Sequence, residues 1–142
     1  MSRGATIPEL VIVALIIGVI ASIASPSFRR TLERIAVVGA AQRVTAVHHL
    51  ARSTAINRST PTRYELDTAA GRVTLSIRNP VRRWDTVRVY RLEGVRLKAS
   101  QRTVTFGPLG LGLGASNTRV VFSRGESAET LTVSRTGRLR RQ

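Results

Sequence analysis

Apolar residues fall on two different periods along this chain, and one stretch is apolar almost throughout. From Leu10 to Ala24 the single polar side chain is Ser22, and past Phe28 no comparable apolar run occurs. Next, Phe28, Leu32 and Ile35 fall on one helical face, and Ala40, Val44, Val47 and Ala51 continue at helical spacing. Arg30, Arg34, Arg43 and Arg52 lie mostly off that stripe, while Asn57, Ser59 and Pro61 end it. The pattern predicts one helix over about 7–56. Its first half is apolar all round, and its second half is amphipathic, with one face for a sheet. Pro26 should kink the helix and push Ser25 away from helical angles.

The remainder has the period of strands. Segments 63–66, 72–77, 86–92, 95–99, 103–106, 119–122 and 130–134 carry the β pattern, with Ala70-Gly71 and Glu93-Gly94 as hairpin turns. Between Gly107 and Asn117, four glycines and a proline predict a loop. No Lys-Ser/Thr pair follows these glycines and no helix opens after them, so they do not form a phosphate cradle. The fold class expected is α+β: a long N-terminal helix packed on antiparallel sheets.

Composition adds one strong bias. Among 142 residues there are 23 basic and 8 acidic side chains, and all the basic ones are Arg except Lys98. Residues 29–142 hold 22 basic and 7 acidic groups, so the whole formal excess of +15 lies beyond the apolar run. Such a field attracts polyanions: nucleic acid, anionic lipid or an acidic protein. A composition that places Arg wherever a solvated cation is tolerated explains the same count. The chain has no Cys, which excludes disulfides and thiolate metal sites. A domain of this length buries a modest core unaided.

Three readings compete for the N-terminus. A secretory signal would use Ser22-Ile23-Ala24 as its small-x-small cleavage site. A plain anchor needs about 20 apolar residues, which 6–25 nearly supply. The third turns on Glu9, a carboxylate at the edge of an apolar helix, where a charge is costly and functional by default. Gly4, a few small or apolar residues, Glu9 and then an apolar run resemble the cleavage and methylation motif of type IV pilins and pseudopilins. That resemblance implies cutting after Gly4 by a prepilin peptidase and methylation of the new N-terminus, Ala5. It also implies pairing of Glu9 with the amine of a neighbouring subunit. Ala5 stands where the family mostly has Phe or Met, and Pro8 where it mostly has Ile or Val. Pro8 is tolerated, because first-turn residues donate no intrahelical bond.

The downstream half carries a second resemblance. The runs Thr103-Val104-Thr105-Phe106-Gly107-Pro108-Leu109-Gly110, Val120-Val121-Phe122 and Leu131 through Arg140 are similar to the C-terminal domain of the GspH/FimT group of minor pilins and pseudopilins. This resemblance implies a leader over 1–4, a transmembrane and filament-core half-helix over 5–27, and an extracytoplasmic domain over 28–142. That domain would comprise a half-helix at about 28–57 and a β-rich part at about 61–142. The implied location is the inner membrane, single-pass, with the domain in the periplasm or on an extracellular filament. Implied partners are other pilin or pseudopilin subunits, the peptidase, the membrane and double-stranded DNA. Some members bind DNA through a Gly-Arg-x-Arg tail, matched here by Gly137-Arg138-Leu139-Arg140. A structural tip or adaptor pseudopilin of type II secretion is the alternative role.

The tail also has a physical logic. Leu131, Val133 and Leu139 share a parity; in an extended chain they point inward, leaving Arg138 and Arg140 on one outer face about 6.5–7 Å apart. Gly137 allows a bend or bulge. Exposed guanidinium pairs bind phosphates bidentately, and Arg135 and Arg141 flank the pair. A solvated basic terminus is the plainer account. Arg82-Arg83-Trp84 suggests either base stacking or a packing anchor. His48 and His49 point about 100° apart and cannot chelate one metal together; an ordinary helical surface is expected for both. No Ser-His-Asp set, carboxylate pair or metal cluster stands out, so neither catalysis nor a cofactor is expected.

Overall fold

The computed structural model describes residues 6–114, 117–134 and 136–142, apart from the side chains of 23–26. Gly4, Ala5 and Arg135 lie outside the described residues. The chain divides into two compact units, Met1–Leu32 and Glu33–Gln142.

A single helix, α1, spans Ile7–Asn57. Thr6 and Glu9 stand at its start in capping-box spacing, with the Thr6 N–H 3.5 Å from a Glu9 carboxylate oxygen. In the first unit the described apolar side chains, Leu10 through Ile20 among them, are all exposed. This stretch is long and apolar enough to cross a bilayer. The helix continues through Ser25 and Pro26, where departure from helical angles was expected. Pro26 removes one backbone donor, and the cooperativity of the flanking turns offsets that local loss.

The second unit is built around the last turns of α1. Val37, Ala40, Ala41, Val44, Val47, His48, Ala51 and Ala55 are buried, at spacings of three and four. Small side chains dominate this face and let sheets approach the helix backbone. Ile35 is exposed, so the amphipathic stripe that meets the sheets begins at Val37.

Among the described residues nine strands follow: β1 (Thr62–Asp67), β2 (Arg72–Arg78), β3 (Trp84–Arg91), β4 (Arg96–Ala99), β5 (Thr103–Phe106), β6 (Gly112–Leu113), β7 (Thr118–Arg124), β8 (Ser127–Val133) and β9 (Leu139–Arg141). They form two antiparallel sheets, ordered β3-β2-β1-β5-β6 and β4-β7-β8-β9. Alternation sends Tyr64, Leu66, Val73, Leu75, Val104 and Phe106 of the first sheet inward. Leu97, Val120, Phe122 and Leu131 of the second join the same core. A bulge between Leu75 and Ser76 shifts the β2–β3 register. Two strands depart from expectation. β6 lies inside the glycine run, where only a loop was expected, and β9 turns the C-terminus back on β8 instead of extending it.

Candidate nucleic-acid interface

The C-terminal residues are held on three sides. After β8 the chain reverses between Ser134 and Gly137. The Gly137 N–H donates to the Ser134 carbonyl (2.9 Å), and the Ser134 N–H donates to the Arg138 carbonyl (2.8 Å). The Arg138 N–H donates to Ser134 Oγ (3.1 Å). Gly137 sits at φ 76°, a left-handed conformation that side chains disfavour. A Cβ there would lie 3.0 Å from Phe106 Cε1, so the position lacks both conformational freedom and space for another residue.

β9 then pairs with β8, with Val133 opposite Leu139, Thr132 opposite Arg140 and Leu131 opposite Arg141. Gln142 exchanges both backbone hydrogen bonds with Thr130 (2.9 and 3.0 Å), so the pairing reaches the last residue. Leu139 packs against the core. Arg138 and Arg140 are exposed. Within β9, strand alternation sets Arg140 on the face opposite Leu139. The two arginines stand on a hairpin return and not on a straight extension of β8, Arg140 within β9 and Arg138 just before it. Arg141 is engaged by the Glu129 carboxylate, so among the described tail arginines Arg138 and Arg140 form the outward pair.

The third constraint is His48, which contradicts the expectation of an ordinary helical surface. It is fully buried. Its Nε2 lies 3.0 Å from the Gly137 carbonyl oxygen, and its Nδ1 lies 3.2 Å from the Tyr64 hydroxyl. A carbonyl only accepts, so Nε2 carries the proton and donates to Gly137. Nδ1 then accepts from Tyr64, whose phenol burial pushes up and keeps protonated. Burial pulls the His48 imidazole below its usual range. The Gly137 carbonyl opposes that shift, while His49 and Arg52 add to it. One neutral histidine thus joins α1, β1 and the tail turn. The stripe Val44, Val47, Ala51 already carried this signal, because position 48 falls on it.

Trp84 is half-buried. The guanidinium of Arg63 lies 4.4 Å from its ring centroid and that of Arg78 lies 5.9 Å away. Its cationic neighbours are these two, from β1 and β2, instead of the adjacent Arg82 and Arg83. The arrangement is that of a packing anchor. Sequence reasoning also missed Glu33. It is buried, and its carboxylate is pressed against Gly125 in the β7–β8 turn, where a Cβ would overlap it. Among the described residues no cluster of three or more His, Asp or Glu is placed to hold a metal.

Comparison with known proteins follows the same architecture. The sequence model of the family described as type II transport protein GspH matches residues 40–137. No curated protein matches by sequence. Among solved structures, the type IV minor pilin FimU of Pseudomonas aeruginosa superposes with a TM-score of 0.63 at 14% identity, over 75% of this chain and 87% of that one. The minor pseudopilin EpsH from the type 2 secretion system of Vibrio cholerae gives 0.60 at 15% identity, over 74% and 94%. Both likenesses concern the fold.

Proposed function

Since the chain belongs to the GspH family of type II transport proteins, we propose that it is a minor pilin or pseudopilin subunit whose C-terminal arginines bind double-stranded DNA without sequence preference. In this reading the apolar half of α1 anchors the subunit in the inner membrane and later bundles with other subunits in the filament core. A prepilin peptidase removes residues 1–4, Ala5 is methylated, and Glu9 meets the amine of a neighbouring subunit. That cation offsets the cost of placing a carboxylate among apolar helices.

The observation that carries the DNA reading is the fixing of the tail. A disordered basic terminus loses conformational freedom on binding. Here the hairpin, the Leu139 contact and the His48–Gly137 hydrogen bond meet that cost in the fold, and Arg138 and Arg140 present guanidiniums from a preset backbone. Arginine suits phosphate because its planar fork offers two parallel donors. The test is a salt titration of DNA binding with Arg138 and Arg140 replaced. Loss of affinity no larger than that from other exposed arginines would remove the tail from the account.

A structural tip or adaptor role in a type II secretion pseudopilus is the second reading. The feature favouring it is the glycine-rich segment, whose Leu109, Leu111 and Leu113 are all exposed. An uncharged apolar loop on so basic a surface suits contact with another protein.

A further inference from the structure

The first sheet is left open at its β3 edge. β3 ends the strand order opposite β6. Its residues 85–89 are all exposed, where a strand on a core buries alternate side chains. The β2–β3 register passes from Leu75–Arg88 to Ser76–Thr86, so Val87 is the residue the bulge leaves unmatched. Leu50, Thr54 and Arg58 stand four apart along one side of the end of α1. Between that side and Val87 lies a groove of about 250 Å³. Leu75 and Ile77 of β2 complete its apolar walls, and Arg58 and Arg88 are its charged lining. A second concavity of about 420 Å³ adjoins it, sharing Arg58, Ile77 and Val87 and adding Arg78 and one acid, Asp85. Asp85 accepts from Asn79 Nδ2 (3.3 Å). Neither Arg58 nor Arg88 has an acidic partner among the described residues.

We infer that this groove docks an acidic segment of another protein, which sets one leucine-sized side chain among Leu50, Leu75, Ile77 and Val87 and its carboxylates against Arg58 and Arg88. The volume falls below the roughly 300 Å³ at which small-molecule pockets begin, so the groove has room for a side chain and not for a whole ligand. Its apolar walls offer nothing to the phosphates that a duplex presents throughout. The bulge at Val87 breaks the regular edge, which disfavours an added strand and leaves a side chain as what docks. The two unpaired guanidiniums call for carboxylates, and an apolar anchor beside arginine is a combination that carries protein interfaces. A second copy of this chain offers Leu109, Leu111 and Leu113, but no acid lies in that loop. The groove is also distinct from those leucines, since β6, which contains Leu113, forms the other edge of the sheet.

The test is fluorescence anisotropy of a labelled peptide, Ser-Asp-Glu-Leu-Glu-Asp-Ser, against the full chain in detergent micelles. Empty micelles are the blank, and about 0.15 M salt screens the general field. Two further peptides carry Ser in place of Leu, or amides in place of the four acids. The first peptide should bind about tenfold more tightly than the Ser peptide, the increment of one partly buried leucine, and more tightly than the amide peptide. Arg58→Gln with Arg88→Gln should remove the advantage of the acids. Val87→Ser should remove the advantage of leucine, with melting unchanged because Val87 is exposed. Arg138→Gln with Arg140→Gln should keep both advantages. Equal binding of the Leu and Ser peptides by the wild type overturns the inference whatever the variants do. So does an equal loss from the tail pair and the groove pair, which leaves only surface charge. Self-association of the chain that Val87→Ser abolishes overturns it too, by giving the groove to a second copy.

Discussion

His48 Nε2 donates to the carbonyl of Gly137 across 89 positions of sequence, at 3.0 Å. The bond ties the amphipathic end of the helix to the residue that begins the arginine tail. Through Nδ1 the same ring accepts a hydrogen bond from the Tyr64 hydroxyl, so the first sheet belongs to the same unit. The tail's geometry therefore depends on a core residue that makes no contact with solvent.

Replacing His48 by Leu leaves the Gly137 carbonyl and the Tyr64 hydroxyl buried without partners. Each such loss costs about 1–3 kcal/mol, so thermal unfolding of the full chain in detergent should move down by several degrees. His48→Gln keeps an amide donor and acceptor and should recover part of the loss. Equal melting of the wild type and the Leu variant would show that the ring contributes nothing beyond packing.

Acidification should act on the same ring. The folded pKa is depressed, chiefly by burial, while the unfolded value lies near 6.5. Below that pH the unfolded chain binds the extra proton and the folded chain does not, so folding weakens. The histidine's contribution is complete above about pH 6.5 and is lost as pH falls from there toward the folded value. Melting temperatures between pH 7.5 and 5 should therefore decline, and His48→Gln should flatten part of that slope.

Processing has a mass signature. Cleavage after Gly4 leaves 138 residues starting at a methylated Ala5. Intact-mass measurement of membrane-extracted protein should find that species. A mature N-terminus at Ser25 would instead identify a secretory signal.

Glu9→Ala should leave membrane insertion intact, since it removes a charge from an apolar helix. It also removes the Glu9–Thr6 capping contact, a modest local loss. Incorporation into filaments alongside wild-type subunits should fall, because the neighbour's amine loses its counter-ion. Normal incorporation would show that capping is all Glu9 does.

Local pattern carries far in this chain. The helix was placed within a residue of its observed end at Asn57, because Asn57, Ser59 and Pro61 are strong local stops. β1, β2 and β5 follow from alternation. What escaped depends on distant partners. β9 is a strand because Gly137 takes a left-handed turn and His48 and Phe106 hold it there; nothing between Leu139 and Arg141 announces a reversal. Glu33 looked like one more charged helix position until the β7–β8 turn closed on it. Trp84 was adjacent in sequence to two arginines, yet strand pairing supplied two others, Arg63 and Arg78. The buried role of His48 was legible in spacing, and its residue type hid it.

The claim that the tail is a DNA-binding element meets its most direct test in one salt titration of the full chain with double-stranded DNA. Each phosphate neutralised adds about 0.9 to the log–log slope of affinity against salt. Arg138→Gln with Arg140→Gln should lower that slope by roughly 2, while folding is unchanged, because both side chains are exposed. The control is Arg88→Gln with Arg119→Gln, two exposed arginines elsewhere; Arg78, stacked toward Trp84, is unsuitable. The account predicts a large loss for the tail pair and a small one for the control. Equal losses would contradict it and leave only the charge of the whole surface.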